Sequence, residues 1–108
     1  MSYWVSFEVD VGGPEPVEAG DFHENFTSNL AGAWRAAGLW LPELSGLSGL
    51  NVSRVLDPVI AELEAHPERF VRFNPDNGWG DHEGGLAFLR KIRDRAKVWP
   101  KARLHVSY

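Results

Sequence analysis

The chain has 108 residues, of which 44% are hydrophobic and 24% are charged, and its formal net charge is −4. This size and composition indicate one domain, 1–108, and exclude both a disordered chain and a two-domain protein. The acidic balance disfavours nucleic-acid binding, and no stretch supplies the about 20 apolar residues that span a bilayer. The sequence contains no cysteine and does not begin like a signal peptide, so we expect a cytoplasmic protein without disulfides.

The first predicted element is a strand at residues 3–11, YWVSFEVDV, in which apolar and polar side chains alternate. Trp4 falls on its polar side, so we expect that face to be covered or bound to a partner. GGPEP at 12–16 ends the strand, because glycine weakens a strand and proline cannot donate to the ladder. An acidic loop without periodicity is expected from there to about residue 26.

A short helix is predicted next, at residues 30–37. It is preceded by three residues that commonly cap helices, TSN at 27–29, and it is followed by Gly38, which suits a helix end. The leucine-rich segment 39–51 has no sustained period, and we interpret it as an irregular connection packed on the core.

A second helix is predicted to begin at Asp57, which can cap it, with Pro58 at the first helical position, where the missing N–H is harmless. Alternatively, a turn at 53–56 extends this helix backward, and Pro58 would then remove one backbone hydrogen bond and kink it. His66 precedes Pro67, and a residue before proline is pushed away from the helical conformation. The helix is therefore expected to end there, and one further helical turn is expected at 67–73.

The stretch NPDNGWGDHEGG at 74–85 predicts a tight turn, since proline, glycine and Asn-Gly favour turn conformations. Asp81 then caps a third helix that runs to about Val98, with apolar residues at helical spacing. The closing segment ARLHVSY, 102–108, alternates like a second strand.

These elements predict an α+β fold, in which two terminal strands pair in a small antiparallel sheet packed against about three helices. A two-stranded sheet leaves open edges, so a second copy could extend it into a homodimer through a sheet edge. Charges are segregated: residues 1–30 contain no Lys or Arg, whereas residues 90–103 contain seven cations and one acid. This pattern either steers an anionic partner to the C-terminal half or lets the two ends attract each other.

Trp79 stands between two glycines in the predicted turn, and it either lies on the core as a lid or projects as a platform that stacks a ligand ring. The glycines do not form a phosphate loop, because no Walker lysine follows and acids surround them. The oxygen ligands of a calcium loop do not fall at the required positions. No metal site, cofactor or nucleophile is predicted, since neither HExxH nor GxSxG occurs.

Four ionisable residues of the two predicted strands allow two interpretations. Glu8 and Asp10 lie on one face of the first strand, and Arg103 and His105 are expected across from them. They form either an acid and base pair for catalysis or a cross-strand salt bridge, and the salt bridge needs fewer assumptions.

Two motifs, together with the terminal strands, resemble those of a family of small phage proteins. TSNLAGAW at 27–34 matches T-S-N-x-x-x-x-W, and FNPDNGWGDHEGGLAFLRKIRD at 73–94 matches N-P-x-N-G-W-G-D-x-x-G-x-x-x-F/Y-L. Over nearly its whole length the chain is similar to this largely uncharacterised family from actinobacterial phages and prophages, departing from its common residues at His82 and Gly85. The resemblance implies a phage or prophage accessory protein that acts inside a bacterial cell, and it assigns no catalytic residue.

The leading hypothesis is a non-enzymatic binding protein that contacts a host protein or a small molecule. Its site is expected where the two motifs meet at neighbouring helix starts, because amides, an acid and indoles suit a largely apolar pocket with a few polar groups. The predicted ligand-binding residues are Asn29, Trp34, Arg35, Asn74, Asn77, Trp79, Asp81 and His82.

Three other interpretations stay open. A nucleotide-sequestering protein that counters host defence would stack a base on Trp79 and hold phosphate with Arg35 or Arg90. An enzyme would use Asp81 and His82 as acid and base. Alternatively, both motifs only shape turns and helix packing and bind no ligand.

Overall fold

The structure, a computed structural model, describes residues 2–74 and 81–108. It has the predicted α+β fold, in which an antiparallel sheet of three strands packs against a layer of helices. The strands are β1 (Ser2–Val9), β2 (Val17–Thr27) and β3 (Arg103–Ser107), and the helices are α1 (Ala31–Ala36), α2 (Gly49–Ala65), α3 (Pro67–Phe70) and α4 (His82–Val98). Short 3-10 helices lie at Ser28–Leu30, Leu41–Leu44 and Val71–Phe73.

The two terminal strands pair side by side, as their alternation predicts, and β1 lies in the centre of the order β2-β1-β3. In the antiparallel register, Val5 pairs with Val106 and Phe7 pairs with Leu104. These four side chains are buried in the core, because alternate residues of a strand point to the same face. The pattern of the terminal segments is therefore sufficient to define the centre of the sheet.

The prediction of an acidic loop from residue 17 to about residue 26 is wrong, because β2 occupies this segment and pairs antiparallel with β1. The register of this pair shifts within β2, because Ser6 pairs with His23 but Glu8 pairs with Glu18. β2 thus uses three residues more than β1 over the same length, which is a large bulge.

Gly20 lies in this bulge and permits the backbone conformation and the close packing that the bulge requires. Its φ is 60°, a left-handed conformation that glycine adopts readily, and an added Cβ would lie 2.8 Å from Cζ2 of Trp99. Ala19 and Phe22 are both buried although they are three residues apart, so the alternation changes phase at the bulge. Because of this phase change, β2 shows no sustained period of two in the sequence.

α2 begins earlier than predicted, at Gly49 rather than at Asp57. Ser48 caps it, because its Oγ accepts a hydrogen bond from the backbone N of Asn51 at 3.3 Å. Pro58 lies inside the helix at an exposed position, so it removes one backbone hydrogen bond without disturbing the buried face. That face runs through both halves of the helix, and its largest members are Val52, Leu56, Val59, Ile60 and Leu63.

α4 matches the predicted third helix at both ends. Asp81 is its N-cap, and its Oδ1 accepts a hydrogen bond from the backbone N of Gly84 at 2.8 Å. The helix ends at Val98, before Trp99-Pro100. Its buried apolar face packs in the same core as α2 and the sheet, and it comprises Leu86, Phe88, Leu89, Ile92 and Ala96.

The connection before α2 covers the outer edge of β3. The backbone N of Leu104 donates to the carbonyl O of Leu47 at 2.9 Å, and the carbonyl O of Leu104 accepts from the backbone N of Gly46 at 2.7 Å. β2 forms the other edge of the sheet, where the acidic side chains of Glu18 and Glu24 discourage pairing with a further strand. A homodimer through a sheet edge stays a prediction, and it would involve β2.

Several cations of the basic segment 90–103 pair with acids elsewhere in the protein. The pairs are Arg90–Glu64 at 2.8 Å, Lys97–Asp57 at 3.2 Å and Lys91–Glu24 at 3.7 Å. Two of these acids lie in α2, and only one comes from the acidic N-terminal segment. Internal pairing therefore explains part of the charge segregation, although the partners come mainly from the middle of the chain.

Candidate functional site

The two sequence motifs meet in the structure at the first turns of α4. A Cβ added to Gly85 would lie 2.6 Å from Cδ1 of Leu30 and 3.4 Å from Cζ2 of Trp34. Gly85 therefore allows α4 to pack closely against the first motif, at 27–34. The motifs are far apart along the chain but adjacent in space, as the hypothesis of a shared site requires.

Trp34, a predicted ligand-binding residue, fills this contact instead of lining an open pocket. Only 2% of its surface is exposed. Its ring stacks on Phe88 with centroids 6.1 Å apart and an angle of 12° between the planes, and it also packs against Tyr3 and Phe26. Trp34 is thus a core residue in this structure, and the burial removes the support for its predicted role in ligand binding.

Three further predicted residues shape the start of α4. Asn74 Oδ1 accepts a hydrogen bond from the backbone N of His82 at 2.8 Å, and Asp81 caps the helix. His82 is 6% exposed, and its ring lies parallel to the ring of Phe70, at an angle of 4° and a centroid distance of 6.2 Å. These contacts are those expected if the motif serves helix packing, and they leave little of His82 accessible for acid and base chemistry.

The other predicted residues are divided between the surface and the part of the chain outside the described residues. Arg35 is exposed, and its guanidinium carbon lies 4.0 Å from the ring centroid of Trp40. Asn29 is exposed near the start of the 3-10 helix that precedes α1. Asn77 and Trp79 lie outside the described residues, so the lid and platform interpretations of Trp79 stay predictions.

A different surface stands out as a candidate site, the face of the sheet that points away from the helices. We call it the outer face, and its central strand contributes Trp4, Ser6 and Glu8. Trp4 is 54% exposed, although tryptophan carries one of the largest apolar side chains. The helices pack on the opposite side of β1, where Val5 and Phe7 are buried. The expectation that this face is covered within the chain is therefore not met by residues 2–74 and 81–108, and the alternative of a bound partner stays open.

Polar side chains from both neighbouring strands surround Trp4 on the outer face. Trp4 pairs with Asn25 of β2 and with Ser107 of β3, and Ser6 is flanked by His23 and His105. A shallow depression of about 290 Å³ lies among them, and it is lined by Trp4, Val5, Ser6, His23, His105 and Ser107. The exposed indole of Trp4 is thus surrounded by hydrogen-bond donors and acceptors.

The charges of the outer face nearly balance. His23 Nε2 lies 2.7 Å from Glu18 Oε2, and Glu8 pairs in register with Arg103. The guanidinium of Arg103 donates to the carbonyl O of Gly46 at 2.7 Å. The face therefore has no excess of cations.

The predicted acid and base pair of the two strands is not assembled. His105 pairs with Ser6, two residues from Glu8, and Asp10 lies beyond the end of β1. Asp10 Oδ1 accepts a hydrogen bond from the backbone N of Gly12 at 2.8 Å, so it shapes the following turn. The prediction that Arg103 faces Glu8 is confirmed by the register, but no ion pair joins their side chains among the described residues. Neither the catalytic pair nor the predicted cross-strand salt bridge is therefore formed.

Sequence reasoning identified Trp4 as unusual but not its surroundings. Asn25 and His23 belong to β2, which was predicted as a loop, so their position beside Trp4 could not be inferred. The available signal was weak: Phe22, Glu24 and Phe26 alternate with His23 and Asn25, but only beyond the bulge.

An α+β domain with one open sheet face is the class of protein that these observations define. Among residues 2–74 and 81–108, no three His, Asp or Glu side chains are arranged to hold a metal ion. In the same part of the chain, no helix combines the length and the apolar character needed to cross a membrane. Comparisons with family models, curated proteins and solved structures find no match to the chain.

Proposed function

We propose that this protein is a non-enzymatic binding protein and that a partner protein docks on the outer face, with Trp4 as the central anchor. The observation that carries the proposal is the 54% exposure of Trp4 in the middle strand of an uncovered sheet face. Interaction hot spots are enriched in tryptophan, because burial of an indole in an interface releases much ordered water. The neighbouring histidine, asparagine and serine side chains supply polar contacts around such an anchor.

The shape of the outer face favours a protein over a small molecule. Pockets for small ligands are typically concave and enclose most of the ligand. The depression beside Trp4 holds only about 290 Å³ and lies on an open sheet, so it would receive a side chain of a partner more readily than a whole ligand. A broad partner surface could cover Trp4 and both flanking strands together.

The charges of the outer face favour a protein over a nucleic acid. Glu8 and Glu18 lie on this face, Arg103 already binds a carbonyl group, and the chain carries a net charge of −4. Nucleic-acid affinity depends on cations that neutralise phosphates. A nearly neutral surface of polar and aromatic groups instead suits a protein partner.

The resemblance to actinobacterial phage and prophage proteins supports a host protein as the partner. An accessory protein produced inside the bacterial cell would meet host proteins there. The proposed role is therefore the binding, and through it the modulation, of a host protein by a phage or prophage product.

Site-specific cross-linking tests this proposal. A photoreactive amino acid, p-benzoylphenylalanine, is placed at position 25, beside the intact Trp4, and, in a matched control, at position 71. Asn25 and Val71 are both exposed, and Val71 lies on the helical part of the molecule, so the two positions differ in location more than in exposure. In lysate of an actinobacterial host, we expect one protein to be cross-linked at position 25 and not at position 71. No cross-link at position 25, or the same products at both positions, would contradict the proposal.

A nucleotide is the second candidate ligand, because an exposed indole such as Trp4 can stack a base. A thermal-shift panel of nucleotides tests it. A nucleotide present at 100 times its Kd stabilises the folded state by about 2.7 kcal/mol, which is a readily measured shift. A shift that is lost in Trp4→Ala would favour the nucleotide, and no shift with any nucleotide would leave the protein partner as the proposal.

A further inference from the structure

Two histidine side chains lie at the same level of the outer face, one on each side of its central strand. His23 of β2 and His105 of β3 both pair with Ser6 of β1. Paired residues of neighbouring strands project from the same face, so both imidazoles stand on the outer side of the sheet. Opposite residues of antiparallel strands have Cα atoms about 4.5–5.5 Å apart, so the Cα atoms of the two histidines are about 10 Å apart. Both imidazoles are therefore within reach of one point above Ser6.

The space between the two imidazoles is open to solvent. His23 and His105 line the same shallow depression of about 290 Å³, together with Ser6. At this level of β1, only the small side chain of Ser6 lies between the two histidines, and Ser6 is itself buried. Both histidines are exposed. An ion from solution therefore has direct access to the space above Ser6.

Glu18 fixes the state of the His23 ring. His23 Nε2 lies 2.7 Å from Glu18 Oε2, and at this separation Nε2 carries a proton, because a carboxylate oxygen can only accept. In the neutral ring the free lone pair is then on Nδ1. Histidines that bind a metal commonly direct their other N–H at a carboxylate, which fixes the tautomer and makes the binding nitrogen more basic. His23 is therefore prepared to bind a metal ion through Nδ1.

His105 offers the second imidazole. No ion pair or hydrogen bond among the described residues involves its side chain, so a ring nitrogen is available as a ligand. Imidazole is a preferred ligand of Zn²⁺, Cu²⁺ and Ni²⁺. The carboxylates of Glu8 and Glu18, which pair in register on the same face, favour a cation nearby. Ligand type and local charge thus agree.

We propose that His23 and His105 together bind one divalent transition-metal ion such as Zn²⁺ above Ser6, and that Glu18 positions His23 for this ion. The two imidazoles occupy two of the four tetrahedral positions of Zn²⁺, and water fills the other two. A site with two protein ligands agrees with the finding that residues 2–74 and 81–108 contain no cluster of three His, Asp or Glu ligands. Such a site leaves two coordination positions for another molecule.

The metal site lies beside the proposed anchor of the outer face. Trp4 and Ser6 are two residues apart on the same face of β1, a distance of about 7 Å along the strand. A partner that docks on Trp4 would be placed to supply a histidine or a carboxylate to the open positions of the ion. This consequence rests on the proposed function of Trp4. The metal site itself does not, because it is measured with the ion alone.

Calorimetric titration of the full chain, without an affinity tag, with ZnCl₂ tests the site. We expect one Zn²⁺ per chain and no comparable binding of Mg²⁺, which prefers oxygen ligands. His23→Ala and His105→Ala should each weaken Zn²⁺ binding about tenfold or more. His66→Ala is the matched control, because His66 also lies near a carboxylate, Glu68 at 3.5 Å, but in the helical layer; it should leave the affinity unchanged. No binding at up to about 1 mM Zn²⁺, or equal effects of the three variants, would overturn the proposal.

A second comparison tests the positioning role of Glu18. Glu18→Ala and Glu8→Ala each remove one carboxylate from the outer face, but only Glu18 contacts His23. Glu18→Ala should weaken Zn²⁺ binding about tenfold, whereas Glu8→Ala should weaken it about threefold at most, as expected for a solvated charge. Nuclear magnetic resonance of ¹⁵N-labelled imidazoles should show that Zn²⁺ binds Nδ1 of His23 while Nε2 keeps its proton. Equal effects of the two variants, or binding through Nε2 of His23, would overturn the role of Glu18.

Discussion

The inner and outer faces of the sheet use aromatic residues in opposite ways. On the inner face, Tyr3 and Phe7 are at most 2% exposed and pack against helices, whereas Trp4 between them is 54% exposed. The same contrast separates Trp34, which is enclosed by three aromatic rings, from Trp4. Residue type alone therefore does not indicate whether an aromatic side chain stabilises this fold or offers a binding surface. The face of the sheet on which an aromatic side chain lies determines which of these two roles it has.

The largest expected effect comes from truncating the enclosed tryptophan. Trp34→Ala should lower the free energy of unfolding by about 3–5 kcal/mol, because it removes stacked contacts and leaves a cavity. Trp4→Ala should change it by less than about 1 kcal/mol, because most of its surface already faces solvent. Urea denaturation of both variants checks the contrast. Similar losses of stability would show that Trp4 also belongs to the packed structure.

A second contrast concerns two glycines of the helical layer. In Gly49→Ala the new Cβ would overlap the carbonyl O of Trp99 and lie 2.6 Å from that of Ala96, so the start of α2 would have to move. We expect a loss of about 1–3 kcal/mol in the free energy of unfolding. Gly32→Ala is the control, since its Cβ would make an ordinary contact at 3.4 Å with Phe73 in a helix, where alanine is preferred. Denaturation midpoints of the two variants should move in opposite directions.

The start of α4 gives a smaller effect and tests the motif directly. Asp81→Ala removes the N-cap and should cost about 1 kcal/mol, whereas Asp81→Asn can still accept the hydrogen bond from Gly84 and should be nearly neutral. Thermal unfolding followed by circular dichroism measures both. If Asp81→Asn were as unstable as Asp81→Ala, the carboxylate charge would matter more than the cap, which would revive the interpretation of Asp81 as a functional acid.

The smallest effect is a dependence on alkaline pH. Burial raises the pKa of Tyr3 above its ordinary value of 10.0; the nearby Tyr108 adds to this, and Arg35 opposes it. The neutral phenol is thus favoured in the folded state, so its contribution to stability is complete below pH 10.0 and declines as the pH rises above that value. Tyr3→Phe cannot ionise, and its stability should fall less above pH 10.0. Urea denaturation at several pH values measures the free energy of unfolding of Tyr3→Phe and of the unmodified chain. An equal decline of this free energy with pH in both proteins would contradict the expectation.

Regular patterns made much of the fold predictable. The period of two in β1 and β3 and the apolar spacing of α4 are continuous, and the Asp81 cap lies directly before its helix. β2 could not be predicted, because the bulge at Gly20 changes the phase of its alternation. The start of α2 was misplaced because Asp57-Pro58 is a strong local signal for a helix start, whereas the burial of its preceding turns depends on tertiary contacts.

The candidate site was predictable only in part. The motifs correctly pointed to two segments that meet, but a sequence pattern cannot distinguish an indole that fills the core, such as Trp34, from one that lines a pocket. The alternation of β1 did place Trp4 on the polar face. Its neighbours on that face depend on the register with β2, which only the folded structure shows.

The most direct test of the central claim begins with purification of the host protein that is cross-linked through position 25. Its binding to the unmodified chain, to Trp4→Ala and to Val71→Ala is then measured by calorimetric titration. Trp4→Ala should weaken binding about 30-fold or more relative to the unmodified chain, because loss of a hot-spot side chain costs about 2 kcal/mol or more. Val71→Ala should bind like the unmodified chain. Equal affinities for all three forms would contradict the claim that the outer face is the binding surface.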